Sequence, residues 1–181
     1  MMDKVPPSRV LQKKICMIGA FAVGKTSLVK RFVESIFDER YQTTIGVKID
    51  RKPVEVRGRT VNLILWDLAG DDDLEQLRMS HLRGAAGYIL VADGCRRETL
   101  ERAIGLQQRV CAVLGAVPFV LAINKVDVIE EWSIEENAID FPGQRNWTLF
   151  RSSAKTGQNV ENLFTALAEK MLEGSAEGAA G

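Results

Sequence analysis

The sequence predicts a three-layer α/β sandwich with about six strands, mostly parallel with one antiparallel, and about five helices. Three observations predict it. Short all-apolar runs alternate with stretches whose apolar residues recur at helical spacing. Most of those runs are continuous rather than alternating, as in a parallel sheet covered on both faces. The first of them ends at a glycine that opens a turn leading directly into a helical stripe. With 181 residues, the chain suits one domain and leaves little room for a second. We expect a flexible N-terminal segment over 1–10, the folded domain over 11–172 and a flexible tail over 173–181.

The elements follow in order. Ile15–Ile18 is the first apolar run, and Leu28, Val29, Phe32, Val33 and Ile36 mark the first helix. Ile45, Val47 and Ile49 alternate with other residues, as a half-buried strand does. Arg57-Gly58-Arg59 is a turn signal before the run Val61–Trp66, and the close spacing predicts an antiparallel hairpin. Tyr88–Ala92 is the next buried strand. Leu100, Ala103, Ile104, Val110, Cys111 and Leu114 then trace a helix, and Phe119–Ile123 another strand. Trp147–Phe150 is the last strand. Val160, Leu163, Phe164, Leu167, Ala168 and Met171 form the clearest helical face.

Composition excludes several classes. Hydrophobic residues make up 46% of the chain, enough for a core. Lys and Arg number 24 and Asp and Glu 24, so no global charge draws the chain to nucleic acid or to an anionic membrane. Cys16, Cys95 and Cys111 match no zinc or redox spacing and read as thiols in a reducing cytoplasm. Met1–Arg9 is polar, without an apolar signal core or a glycine at position 2. The longest apolar run, Val110–Ile123, is interrupted by Pro118 and is too short to span a bilayer. No prenylation cysteine closes the chain. We therefore expect a cytoplasmic protein without a lipid anchor or a transmembrane segment, and no nucleic-acid partner.

Gly19-Ala20-Phe21-Ala22-Val23-Gly24-Lys25-Thr26 fits the phosphate-binding pattern G-x-x-x-x-G-K-[ST] in full. It lies between an apolar strand and a helical stripe, the context that such a P-loop requires. Glycine lets the backbone curl so that N–H groups, including those of Ala22 and Val23, face a phosphate. The following helix, opening through Ser27, adds partial positive charge. Lys25 supplies a cation for the outer phosphates, and the Thr26 hydroxyl is a hard ligand for Mg²⁺.

Asn124-Lys125-Val126-Asp127, just past a buried strand, selects the base. A carboxylate at Asp127 accepts from both N1–H and the 2-amino group of guanine, and adenine offers neither. Asn124 braces the loop, and the Lys125 stem lies along the base. Ser152-Ser153-Ala154-Lys155 follows another strand as a second base-facing loop, with the Ala154 N–H aimed at the guanine O6.

The ordered set GAFAVGKT, TTIG, WDLAG, NKVD and SSAK resembles the Ras superfamily of small GTPases, and its Rab branch most. The resemblance covers about Lys13 to Leu172 and implies the P-loop NTPase fold. It also implies a GTP/GDP-binding switch that hydrolyses GTP, uses Mg²⁺, and meets protein effectors and regulators through its switch segments. By that resemblance Thr44 senses Mg²⁺ and the γ-phosphate, Phe37 packs beside guanine, Asp67 holds Mg²⁺ through water, and the Gly70 N–H bonds the γ-phosphate. Lys25, Thr44, Gly70 and Asp71 then form the catalytic set, and Thr26, Thr44 and Asp67 the metal set. The missing prenylation signal points to a bacterial relative or a shortened chain.

Two departures stand out. Where the family places a water-orienting glutamine, this chain has Asp71, followed by Asp72 and Asp73. A carboxylate is shorter and lacks the amide donor; the triplet equally suits a helix N-terminus. Phe21 stands where the family carries a small residue, in space that an arginine finger or the glutamine uses. Both features predict slow hydrolysis. They also feed the alternative of a hydrolysis-deficient GTP-binding interaction module. A P-loop kinase or ATPase is a second rival, which Asp127 argues against. Trp66 reads either as a partner-facing aromatic or as a packed strand residue, and His81 as a surface helix residue.

Overall fold

In the computed structural model, residues 10–40, 43–69, 79–134 and 147–177 are described. Six strands form one sheet: β1 (Leu11–Gly19), β2 (Val47–Val56), β3 (Arg59–Leu68), β4 (Gly87–Asp93), β5 (Phe119–Asn124) and β6 (Leu149–Arg151). Their order across the sheet is β2-β3-β1-β4-β5-β6. Only the β2–β3 pair is antiparallel. Arg57 and Gly58 join that pair with φ of 50° and 71°, the left-handed geometry that matches a two-residue hairpin to the twist of its strands.

The four α-helices among the described residues are α1 (Lys25–Glu34), α2 (Met79–Leu82), α3 (Arg97–Leu114) and α4 (Val160–Glu177), with one 3₁₀ turn at Ile129–Glu131. They divide between the two faces of the sheet because strand side chains alternate. Ile15, Met17, Ile89 and Val91 face one way and pack with Leu28 and Phe32 of α1 and Leu163, Phe164 and Leu167 of α4. Cys16, Ile18, Leu90 and Ala92 face the other way, against Leu82 of α2 and Leu100, Ala103 and Val110 of α3. A sheet so covered needs apolar residues at successive positions. Accordingly all seven residues of β4 are buried.

α1 and α4 lock together where Phe32 and Phe164 stack, with ring centroids 4.0 Å apart and planes 11° from parallel. The run Val110–Ile123 splits as expected into helix end, short loop and strand. Gly115, at φ 74°, closes α3 by donating its N–H to Cys111 O at 2.9 Å.

Several expectations shift. Ile36 lies beyond the end of α1 and Ile45 before β2, and they are 55% and 92% exposed. Ile49 is on β2 but 48% exposed, because β2 is the edge strand and part of its face is left bare. Cys111 is exposed rather than on the packed stripe of α3, and Cys16 is buried, which pushes its thiol up to about 11. The first strand begins at Leu11, and the last is only Leu149–Arg151. α4 continues to Glu177, past the point where a tail was expected. His81 is half-buried, its ring centroid 6.3 Å from that of Trp66.

Replacing Phe164 with alanine empties the α1–α4 seam and is expected to cost about 3–5 kcal/mol. Urea unfolding of the two proteins measures this directly, and a loss below about 1 kcal/mol would show that the seam collapses without cost.

Candidate functional site

Strand order reverses at β1, which has β3 on one side and β4 on the other. In an open α/β sheet the crevice beyond the carboxyl ends of the strands at such a point is where ligands sit. A cleft of about 530 Å³ opens there.

The loop after β1 forms one wall. Gly19 passes so close to β4 that a Cβ there would lie 2.3 Å from Val91 O. Gly24 has φ 101°, and its Cβ would lie 2.2 Å from the Asn124 amide nitrogen. Glycine is thus required at both positions by contact, and at Gly24 by conformation as well. Ala22 also sits in the left-handed region, at φ 59°. For a residue with a Cβ that costs about 1–2 kcal/mol, so bonds from outside must hold it. Lys25 opens α1 and is 6% exposed; its Nζ donates to Gly19 O and Ala20 O, both at 2.8 Å. Thr26, Ser27 and Phe37 also line the cleft. Val23 is fully buried behind the loop.

Asn124 ties three segments together. Its Nδ2 donates to Val23 O at 3.0 Å, and its Oδ1 accepts the Ala154 N–H at 3.2 Å. The bracing role expected of it is therefore seen, while the Ala154 N–H points at Asn124. Asp127 is exposed at the cleft, and its Oδ1 accepts from Ser153 Oγ at 2.5 Å. Lys125 Nζ donates to Ala22 O at 3.1 Å and to Asp93 at 2.7 Å. Lys155 lines the far end of the cleft and lies 3.9 Å from Glu39.

Three hard oxygens gather at the other end. Thr26 Oγ1 donates to Asp67 Oδ2 at 2.5 Å, so Thr44 Oγ1, 2.7 Å away, donates to Thr26. Asp67 is fully buried at the end of β3, and its Oδ1 has no partner. Burial raises the Asp67 carboxyl above its ordinary value. The Thr26 hydroxyl and the Lys25 and Lys48 charges offset this only in part, and Asp50 adds to it. An orphaned buried carboxylate oxygen beside two hydroxyls fits a hard divalent cation such as Mg²⁺. Among the described residues no cluster of three His, Cys, Asp or Glu side chains forms. Any such cation would rest on hydroxyls, one carboxylate and the ligand's own oxygens.

Gly70 and Asp71, with Asp72 and Asp73, lie outside the described residues. Phe21 lines the cleft beside the expected loop residues. Sequence reasoning passed over two groups that the structure brings in. Asp93 ends β4, 2% exposed, and binds Lys125. Arg31 of α1 donates to Ala154 O at 2.7 Å and also bonds Lys155 O. A carboxylate at the carboxyl end of an apolar strand was the available signal for Asp93; nothing local marked Arg31.

Residues 14–173 match the family model described as "Ras family". The chain is 35% identical over 164 residues to the Ras-related protein Rab-18 of Caenorhabditis elegans, covering 88% of this chain and 80% of that one. It is 33% identical to Rab-18-B of Danio rerio and 32% identical to Rab-13 of Canis lupus familiaris, over 88% of this chain and 79% of each. These are animal proteins, and they give no support to a bacterial origin.

Because burial raises the Asp67 carboxyl, the folded state holds that proton more tightly than the unfolded chain. Its contribution to stability is therefore full below the ordinary value of 3.8 and is lost as pH rises through the folded value. In protein freed of metal and nucleotide, Asp67→Asn is expected to raise Tm at pH 7 and to lose that advantage below about pH 3.8. Thermal melts across pH 3–8 check this, and a variant that melts lower at pH 7 would overturn it.

Proposed function

The chain belongs to the Ras family, and from that premise we propose how its own residues carry a GTP/GDP-binding molecular switch. Binding of guanine nucleotide, GTPase activity and engagement of effectors come with the family. The assignment of residues is our reading. One observation carries it: the phosphate loop, Thr44, Asp67, the Asn124–Asp127 loop and the Ser153–Lys155 loop converge on a single crevice.

In this reading the N–H groups of Gly19–Thr26 and the start of α1 through Ser27 hold the phosphates. Lys25 leaves the carbonyls it caps to meet the outer ones. Thr26, Thr44 and Asp67 would hold Mg²⁺, which supplies positive charge to the phosphate oxygens. Asp127 reads N1–H and the 2-amino group, and Ala154 reads O6 once its N–H turns from Asn124. Phe37 and the Lys125 stem flank the base. Thr44 and the Gly70 N–H tether two loops to the γ-phosphate, and its loss releases them. The free thiols suit the cytoplasm, and no described helix is long and apolar enough to cross a membrane. The folded unit is 11–172, extended by the end of α4.

Hydrolysis is slow because two positions work against it. Asp71 brings a charge toward an anionic phosphate and has no amide donor for the transition state. Phe21 fills space that an arginine finger or a glutamine would occupy. The family's GTPase activity does not favour the alternative of a module that cannot hydrolyse at all.

Mass spectrometry of freshly isolated protein is expected to find guanosine phosphates, and Lys25→Ala to empty the site. Asp127→Ala should abolish a guanine-over-adenine preference on the order of 10⁴-fold. Equal binding of ADP and GDP by the unmodified protein would sink the reading. In single-turnover assays Asp71→Gln and Phe21→Gly should each speed hydrolysis. Fast turnover by the unmodified chain would refute the account of these two residues while leaving nucleotide binding intact.

A further inference from the structure

Two cations join one buried carboxylate to the outer side of the phosphate loop. Asp93 Oδ2 accepts from Lys125 Nζ at 2.7 Å and from Arg96 Nε at 3.0 Å, and its Oδ1 accepts the Cys95 N–H at 3.0 Å. Each cation makes a second bond. Lys125 Nζ donates to Ala22 O at 3.1 Å, and Arg96 Nη2 donates to Phe21 O at 2.8 Å. One carboxylate thus grips two consecutive carbonyls of the loop through two different side chains.

The consequence follows from peptide geometry. The Phe21 carbonyl shares its peptide plane with the Ala22 N–H, and the Ala22 carbonyl shares its plane with the Val23 N–H. No peptide bond described is cis, and in a trans peptide C=O and N–H point in opposite directions. Holding the two oxygens toward the Arg96 and Lys125 side turns the two N–H groups the other way. Ala22 at φ 59° does not favour this arrangement by itself, so the hold comes from outside the loop.

We propose that Asp93 and Arg96 are positioning residues for the phosphate loop, a clamp that aims the Ala22 and Val23 N–H groups at the phosphates of the bound guanine nucleotide. This rests on the reading that those N–H groups bind phosphate. Charge balance allows it near an anion, because the two cations more than neutralise the carboxylate. Burial alone would raise the Asp93 carboxyl, but Lys125, the Cys95 N–H and Arg96 outweigh it and hold it below its ordinary value. The clamp therefore stays charged at neutral pH.

The test uses the full chain and fluorescent GDP and GMP, with affinities by titration and dissociation by stopped flow. A misaligned loop loses grip on the second phosphate more than on the shared base and sugar. Arg96→Ala and Asp93→Asn are expected to shrink the GDP-over-GMP affinity ratio by about 10- to 100-fold each, the size of a lost charged hydrogen bond. Arg96→Lys keeps the charge but not the two-ended reach, and should recover only part of the ratio. Equal losses for GDP and GMP would reduce the clamp to general support and overturn the proposal, as would an unchanged ratio in both variants. No preference for GDP over GMP in the unmodified protein would instead defeat the phosphate-loop reading. If Asp93→Asn does not fold, the test stands on Arg96→Ala, whose side chain is 37% exposed.

Discussion

The loop after β1 and the loop after β6 depend on one buried amide, that of Asn124. Asn124 is 2% exposed, and a buried amide must find partners for its donors and acceptor or forfeit the free energy of desolvation. It finds them on two different loops, Val23 O on one side and the Ala154 N–H on the other. The Gly19–Thr26 loop and the Ser153–Lys155 loop are therefore held in register by the same side chain. Gly24 is part of that constraint, since a Cβ there would collide with the amide.

Asp93 and Arg31 extend the same logic outward. Asp93 reaches the Gly19–Thr26 loop through Lys125 and Arg96, and Arg31 reaches the Ser153–Lys155 loop from α1. α1 itself begins at Lys25, so one helix touches both ends of the cleft. Such cross-links offset the cost of left-handed backbone at Ala22 in the loop after β1 and at Lys125 in the loop after β5.

The Asp67 end of the cleft is built differently. Asp67 is fully buried with one oxygen unpartnered, an arrangement that burdens the protein on its own. Such sites give up stability for function. In the proposed reading Mg²⁺ would offset that cost, held by Asp67, by the Thr26 hydroxyl that bonds it and by the Thr44 hydroxyl that bonds Thr26. Segments that respond to a phosphate must be weakly held without it, and the unpartnered Asp67 oxygen leaves this corner of the cleft under-satisfied until a ligand arrives.

The sequence by itself determined the strands and the layers that cover them. Continuous apolar runs specify strands covered on both faces, and the G-x-x-x-x-G-K-[ST] pattern marks the turn from strand to helix. The ordered motifs carried the family. Periodicity could not say where an apolar residue lies just beyond its element, so Ile36 and Ile45 read as packed and are exposed. Nor could it reveal the bonds by which Asp93, Arg96 and Arg31 reach the loops around the cleft. Arg31 lies 123 positions from its partner Ala154 and Arg96 lies 75 from Phe21. Contacts between such distant segments have no local signature. Only folding sets the distance across the sheet at which a guanidinium meets a carbonyl.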